Sequence, residues 1–417
     1  MQVSRTLLFY SYCVAPFVRT VAAVLSVANP KLRERISSFP GALASIPPRT
    51  QGVQRVLFHA ASMGEVEQCI PVIERLKTLR PHAECVVSCS SPSGYHHAKC
   101  IPAIDAAVYA PLEGIRETKQ FFSLLHPDIV VINRYDVWPA FVASAARKAI
   151  PILLMNGTMP SAARGLGKLL TRASYACISH IVAATPNDAT ELGRLVSRPI
   201  ATEPDTRIDR VLDRVSMPRE DFSHLQQPNI ITIVVGSSWQ SDEELVFTAL
   251  QKVNNPSAFR LIVVPHEPTE ETLERIESKL RVVRLSQATS DTQGHILVDR
   301  IGVLVELYQL GQAAFVGGGF GVGVHSLTEP AAFNLPLACG PNISRSRDAT
   351  ALVESGVCTV VRTRDDVVSW MRNTVADTTS RNQTVQAARN YVTSRSGSAS
   401  VYAGWIHRVL SEQPQHS

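Results

Sequence analysis

No low-complexity tract interrupts the 417-residue chain, charged residues make up only 18% of it and hydrophobic residues 45%, so a mainly disordered protein is excluded. None of the eight cysteines forms a C-x-x-C pair, which argues against a zinc ribbon or a disulfide framework and for a reducing compartment. Cys13, Cys69, Cys85, Cys89, Cys100, Cys177, Cys339 and Cys358 read as mostly buried thiols. Basic charge is missing from most of the sequence. Residues 1–50 hold Arg5, Arg19, Lys31, Arg33, Arg35 and Arg49 against Glu34 alone, which accounts for the whole formal charge of +5 and leaves residues 51–417 balanced. A nucleic-acid binder would spread its excess over a recognition face, so that partner class is excluded.

The basic residues flank an apolar run, Leu7 to Ala28, broken only by Pro16 and Arg19. Its length is close to the ~20 residues that cross a bilayer, but an arginine in mid-segment costs about 2.5 kcal/mol or more there. No clean small-residue cleavage site follows, which disfavours a removed signal peptide. The segment is expected to lie in or against a membrane surface, with Lys31, Arg33 and Arg35 drawn to anionic head groups. A buried N-terminal helix is the alternative.

From residue 53 onward, short Val- and Ile-rich runs alternate with helix-period stretches, the pattern of a parallel sheet covered on both faces. Strands are predicted at Arg55–Phe58, Cys85–Ser88, Ala107–Tyr109, Ile129–Ile132, Ile152–Met155 and Ile181–Ala184, with helices such as Val66–Leu79 and Ala140–Lys148 between them. The polar passage Asp205–Gln227 reads as an interdomain crossing. Beyond it the pattern repeats at Ile230–Val235, Arg260–Val264, Val282–Leu285, Ile296–Val298, Ala313–Val316 and Leu335–Ala338. The expected division is a membrane-associating segment (1–50), a Rossmann-like domain (51–212), a linker (213–228), a second Rossmann-like domain (229–395) and a C-terminal helix (396–417). Two doubly wound α/β domains imply a cleft between them, and ligands of such sheets bind at the carboxyl ends of the strands.

Side chains able to do chemistry fall on those strand ends. The first strand ends in His59-Ala60-Ala61-Ser62-Met63-Gly64-Glu65, where Glu65 enters the first turn of a helix. A carboxylate there is favourable by ~0.3–1 kcal/mol for purely local reasons, but if exposed it could also take a proton from an incoming hydroxyl. The strongest local signal is Gly317-Gly318-Gly319-Phe320-Gly321-Val322-Gly323-Val324-His325-Ser326-Leu327-Thr328-Glu329-Pro330. Its glycines let the backbone approach a ligand, yet no G-K-[S/T] step follows and the G-x-G-x-x-G spacing is absent, so it is neither a Walker loop nor a dinucleotide fingerprint. His325 and Glu329, four residues apart, would share a face if the stretch is helical. Metal binding by that pair is the minor alternative, since two ligands lack a third. Ser237 and Trp239 follow one predicted strand, and His266 follows another between Pro265 and Pro268. Ser237 and His266 could meet the base and ribose of a nucleotide, whereas Trp239 reads as packing. Asp136 could cap the helix that Pro139 opens, and Arg134 and Asp136 could bind an anionic sugar.

These blocks, in this order, resemble the 3-deoxy-D-manno-octulosonic acid (Kdo) transferases of lipopolysaccharide biosynthesis, inverting glycosyltransferases of GT-B fold. The resemblance rests on H-A-A-S-M-G-E-V-E-Q-C-I-P (59–71), Y-D-V-W-P (135–139), D-T-R-I-D-R-V-L (205–212), G-S-S-W-Q-S-D-E-E (236–244), V-P-H-E-P (264–268) and the glycine-rich block at 315–342. It implies that Glu65 is the general base and that Gly318, Gly319, His325 and Glu329 lie on the nucleotide side, with Ser62, Gly64, Arg134 and Asp136 on the acceptor side or orienting. Departures are local: R-Y-D-V-W-P stands where many members have E-T-E-L-W-P, Pro265-His266-Glu267-Pro268 where many have P-R-H-P, and Ser326 where many have Asn. The implied reaction moves Kdo from CMP-Kdo to a lipid A precursor at the cytoplasmic face of the inner membrane. It would use no metal or cofactor, in keeping with the absence of a D-x-D cluster. Arg164, Arg172 and Arg207 are candidates for acceptor phosphates. The competing expectations are another GT-B nucleotide-sugar enzyme, such as an epimerase, and a non-catalytic membrane-associated protein that binds a nucleotide sugar.

Overall fold

The computed structural model describes residues 3–44, 46, 48–160, 167–217 and 220–412, so Arg164 lies outside the described residues. Two compact units emerge, Met1–Arg210 with Ser396–Ser417, and Val211–Arg395.

The first unit is built on β1 (Arg55–Ala60), β2 (Glu84–Cys89), β3 (Ala106–Tyr109), β4 (Ile129–Asn133), β5 (Ile152–Gly157), β6 (His180–Ala183) and β7 (Ala201–Thr202). They form one parallel sheet in the order β3-β2-β1-β4-β5-β6-β7. Successive side chains of a strand point to opposite faces, and both faces are covered. Val56, Phe58 and Ala60 of β1 join one core cluster while Leu57 joins the other. That is why the strands read as unbroken apolar runs. Helix Met63–Leu79 lays Val66, Cys69, Val72, Ile73 and Leu76 on the first of these faces, beside Ala399, Tyr402, Ala403, Ile406 and Leu410 of the last helix, Ser398–Glu412.

The second unit repeats the design with β8 (Ile231–Ser238), β9 (Phe259–Pro265), β10 (Val282–Arg284), β11 (His295–Leu297), β12 (Ala313–Val316), β13 (Leu337–Cys339) and β14 (Cys358–Val360). This sheet is also parallel, in the order β10-β11-β9-β8-β12-β13-β14. In each sheet the chain reverses its winding beside the first strand, between β1 and β4 and between β8 and β12, and such switch points are where open α/β sheets bind ligands.

The passage predicted as a crossing is partly helical, since Arg207–Ser216 forms a helix that buries Ile208 and Val211. Its polar residues are mostly committed. The Asp209 carboxylate accepts the N–H groups of Gly397 (2.7 Å) and Ala399 (2.9 Å), capping the last helix, and Arg210 Nε donates to Glu67 Oε2 at 2.6 Å. Six of the eight cysteines are buried, with Cys13 and Cys100 exposed.

At the N-terminus, a continuous helical stretch Arg5–Leu25 contains one π-helical turn (Tyr10–Val14) and is long and apolar enough to cross a membrane by length and composition. Leu7 and Ala15 are buried, whereas Phe9 (66%), Phe17 (70%) and Val24 (66%) stand exposed. Helix Pro30–Ala44 follows, its Phe39 stacked on Phe121 at 6.5 Å.

Candidate functional site

In the first unit the switch point brings together the residues that follow β1 and β4. β1 ends at Ala60, and Ser62 takes an extended conformation as the N-cap of helix Met63–Leu79 without using its side chain. Glu65, three residues on, turns its carboxylate back so that Oε2 accepts the Ala61 N–H at 2.5 Å, the reciprocal half of a capping box shifted by one residue. Beneath it, Asn133 at the end of β4 donates to the Glu65 carbonyl (3.0 Å) and to Gln68 Oε1 (2.9 Å). Asn156 then ties Asn133 to Thr206, and Gln68 Nε2 donates to Asp205. This chain of satisfied buried amides fixes the start of the helix and with it the glutamate.

The expectation of an exposed Glu65 is corrected: it is 6% exposed. Back-folding onto Ala61 draws it into the turn. Burial lifts its proton affinity above that of an ordinary carboxyl, the Ala61 N–H partly offsets this, and the charge of Asp136 adds to the rise. Its polar neighbours are His59, Asp136 and Arg134.

Asp136 caps nothing through the backbone. Its Oδ2 lies 3.0 Å from His59 Nε2 and accepts Ser90 Oγ at 3.0 Å, while His59 Nδ1 lies 3.0 Å from Ser88 Oγ. Burial works against the Asp136 charge, but its bonds to His59, Trp138 and Ser90 prevail and hold its pKa below the usual value. Two carboxylates at neighbouring strand ends thus have their proton affinities pushed apart: Asp136 stays ionised and Glu65 is the better base. His59 escaped the sequence analysis as a site residue. Its only signal was an imidazole closing an apolar strand. Arg134 has a left-handed backbone (φ 66°), and its Nε has no hydrogen-bond partner. Ser62 and Gly64 are exposed on the rim of the same turn. Arg172 is exposed and donates to Ser197 Oγ at 3.2 Å, and Arg207 is exposed at the start of its helix, its N–H donating to Asp205 Oδ1 at 2.9 Å.

In the second unit the corresponding position is filled by the glycine-rich block after β12. Gly318 adopts φ +89°, and a Cβ there would meet the Gly323 carbonyl and the His325 ring. A Cβ on Gly319 would sit 2.6–2.8 Å from the Gly340 backbone. Asn342 clamps the turn, its N–H bonding Gly319 O (2.9 Å) and its Nδ2 bonding Gly321 O (2.8 Å). Asp242 anchors it from β8's side, with Oδ2 accepting the N–H groups of Gly318 and Trp239, each at 2.9 Å. Burial raises the Asp242 pKa despite those two bonds.

Over this turn three rings stack. Trp239 lies 4.8 Å from His266, and His266 lies 4.5 Å from His325. Trp239, read from sequence as packing, is exposed, because β8 ends one residue before it and turns it out beside the loop of His266. Its indole N–H donates to His325 Nε2 at 3.0 Å. An indole can only donate, so neutral His325 must carry its proton on Nδ1. Burial and the neighbouring His266 both lower the His325 pKa, which favours that neutral form. Ser237, half-buried at φ 49°, sits at the end of β8, two residues before Trp239.

The expected pairing of His325 with Glu329 along one helical turn is not found. The helix begins only at Thr328, because Pro330 lacks an N–H and its ring would clash with the carbonyl four residues back. His325 therefore turns to Trp239 and His266, whereas Glu329 Oε1 receives Arg214 Nη1 at 3.1 Å. Among the described residues no group of three or more His, Cys, Asp or Glu is placed to hold a metal ion.

Residues 31–210 match the family model of the 3-deoxy-D-manno-octulosonic-acid transferases (kdotransferases). A Kdo transferase of Chlamydia pneumoniae is 29% identical over 318 residues, 72% of this chain and 72% of that protein. One from Haemophilus influenzae is 23% identical over 342 residues, 78% of this chain and 79% of the other. The chain is homologous to the Kdo transferases. Among solved structures, UDP-GlcNAc 2-epimerase from Neisseria meningitidis covers 86% of this Kdo transferase homologue at TM-score 0.59 and 13% identity, itself matched over 100% of its length. The glycotransferase of kitacinnamycin covers 85% at TM-score 0.54 and 12% identity, matched over 98% of its own chain. At such identities these two show the fold alone: the homologue has the two doubly wound sheets of the GT-B class.

Proposed function

We propose that the protein transfers Kdo from CMP-Kdo to a hydroxyl of a lipid A precursor in lipopolysaccharide biosynthesis. What carries this reading is the buried Glu65 at the carboxyl end of β1, a carboxyl of raised proton affinity held in a fixed rotamer, in a chain homologous to Kdo transferases along most of its length. A base whose pKa is lifted toward the working pH is suited to receive a proton as a hydroxyl becomes a nucleophile.

The acceptor hydroxyl oxygen attacks the anomeric carbon of Kdo, its proton passes to Glu65, and the bond from that carbon to the CMP phosphate oxygen breaks on the opposite face. Configuration inverts and CMP departs as the anion. Asp136, kept ionised by His59 and Ser90, orients the acceptor and supports proton arrival at Glu65 by its charge. On the donor side, the Gly317–Gly319 turn brings backbone close to the phosphate, and His325 offers its Nδ1–H where negative charge develops on the leaving group. His266 and Trp239 present ring faces to the nucleotide, Ser237 lies below them, and Glu329, held by Arg214, is assigned to the sugar or ribose hydroxyls.

No metal enters this scheme, so turnover is expected to survive EDTA. The apolar helix Arg5–Leu25 would keep the enzyme on the cytoplasmic face of the inner membrane, next to its acceptor. Incubating purified protein with CMP-Kdo and a tetraacylated lipid A precursor should add the mass of Kdo to the lipid. A donor panel in which another nucleotide sugar is consumed, or CMP-Kdo bound without product, overturns the assignment.

A further inference from the structure

Two guanidinium groups on the strand-end side of the first sheet have bonding capacity that the fold does not use. Arg55, which is buried, gives Nε to Glu84 Oε2 (2.7 Å) and Nη1 to Leu125 O (3.0 Å), and the half-buried Arg49 reaches both oxygens of Asp128 and the His126 carbonyl. Arg35 is less well supplied. Helix Pro30–Ala44 carries it onto the strand-end side of the sheet, where Nη2 makes only two long bonds, to Ala110 O (3.3 Å) and Pro111 O (3.4 Å). Its Nε is buried with no hydrogen-bond partner. Its neighbour Glu34 ties the helix to the end of β3, its Oε1 accepting Tyr109 OH (2.8 Å) and lying 2.7 Å from His96 Nε2. The sequence had assigned Arg35 to lipid head groups. Instead it points inward, and Asp136 acts on its charge as it does on that of Glu65.

Arg134 shows the same deficit at the end of β4, with a buried Nε that lacks a partner and a left-handed backbone that turns the residue away from the strand. Its charge acts on Glu65, while that of Arg35 faces Asp136. An unsatisfied buried donor on a charged group is unfavourable unless a ligand supplies the acceptor. Arginine is suited to take two oxygens of one oxyanion in its planar fork.

We propose that Arg35 and Arg134 are an oxyanion-binding pair that holds an anionic group of the substrate next to Glu65. The inference rests on the transferase reading. Two sources offer that chemistry: a phosphate on the lipid acceptor, or the carboxylate of the octulosonic acid being transferred. Either way, the membrane-proximal helix contributes a side chain to the substrate site, so residues 30–44 serve in recognition as well as in attachment.

The test uses the full chain in detergent micelles, as wild type, Arg35→Gln, Arg35→Lys and Arg134→Gln, with the phosphorylated precursor and its phosphatase-treated form as acceptors. Loss of a charge-assisted bond should raise the relevant KM about 10- to 100-fold, with kcat much less affected. If phosphate is the ligand, Arg35→Gln raises KM for the phosphorylated acceptor and abolishes the wild-type preference for it. If the carboxylate is the ligand, the KM for CMP-Kdo rises equally with both acceptors. Arg35→Lys, which keeps the charge without the fork, should fall between. Unchanged KM values for both substrates, or a fall in kcat alone, overturn the proposal, and Arg134→Gln decides it in the same way should the Arg35 variants fail to fold. Calorimetric titration of the precursor and of CMP-Kdo separates the two ideas. Binding weakened by Arg35→Gln in a wild type that shows no turnover would leave the pair standing and remove the transferase reading.

Discussion

Replacing Glu65 by glutamine removes the proposed base while disturbing little else. The amide oxygen can still accept the Ala61 N–H, now made to Oε2 at 2.5 Å, so the start of the helix should persist. General base catalysis contributes typically 10²- to 10⁴-fold, or roughly 3 to 5 kcal/mol of barrier, and a fall of that size in kcat is expected. CMP-Kdo affinity, measured by calorimetry, should hold, because the glycine turn and the ring stack are unaltered. Wild-type kcat/KM should rise with pH through a pKa above the ordinary carboxyl value, since burial opposes ionisation of Glu65. That limb should vanish in the variant. Stability carries an independent sign. A carboxyl whose folded pKa is raised contributes stability that is complete below the unfolded pKa and lost as pH climbs through the folded one. The Glu65→Gln protein should therefore melt at or above the wild-type temperature at pH 8, with that advantage gone at pH 4. Near-normal turnover with an intact acid limb would refute the base assignment and turn attention to Asp136, a weaker base because its pKa is held down.

Glu113 is buried, accepts the Ala140 N–H at 3.2–3.3 Å and has its pKa pushed up by burial from 4.5 to about 7. Its stabilising contribution is full below pH 4.5 and lost by pH 8, so Glu113→Gln should stabilise the protein by up to about 3 kcal/mol at pH 8 and by little at pH 4 in denaturant titrations. Trp239→Phe keeps a ring against His266 but deletes the bond to His325 Nε2, so the CMP-Kdo KM should rise about 2- to 10-fold. Nitrogen NMR of His325 should show the Nδ1–H tautomer giving way to a mixture, and an unchanged spectrum would disprove the tautomer assignment. The triple substitution Phe9→Ser, Phe17→Ser, Val24→Ser removes exposed apolar side chains, each worth about 1.5–3 kcal/mol if buried in lipid. Flotation with anionic vesicles should fall sharply while the melting temperature holds, and undiminished flotation would rule out membrane attachment through this face.

Much of the architecture was legible because parallel strands buried on both faces leave an unmistakable trace. Among the described residues, twelve of the fourteen strands coincide with predicted Val- and Ile-rich runs, and Ala313–Val316 agrees to the residue. The two that escaped, Ala201–Thr202 and Cys358–Val360, are short edge strands with one neighbour each and need no long apolar run. The helix Arg207–Ser216 carries an apolar stripe, Ile208, Val211, Leu212 and Val215, that its many charged residues mask in a residue-by-residue reading, and those charged residues make specific bonds to Glu67, Glu329 and the turn before the last helix.

The candidate site was legible in its backbone and misread in its side-chain partners. Strand-end turns and glycines are written locally, so the placing of Glu65, Asp136, Gly318 and His325 beyond strand ends could be read from the sequence. Partnerships over seventy or more residues leave no such mark: His59 with Asp136, Trp239 with His325, Asp242 with Gly318, and Arg35 with the 110–111 carbonyls. Where the sequence departs from the family pattern the structure shows what the substitutes meet. Asp136, shorter than the glutamate common there, meets His59 and Ser90. His266, in the place of the family's arginine, is stacked between Trp239 and His325. An imidazole in that place offers a ring face where a guanidinium would offer a planar fork of donors, so in the proposed reaction the donor phosphate would be met by the Gly317–Gly319 backbone and His325 Nδ1–H. His266→Arg should then break the ring stack and lower CMP-Kdo affinity despite the added positive charge, and tighter binding by that variant would show that the stack has no part in holding the donor.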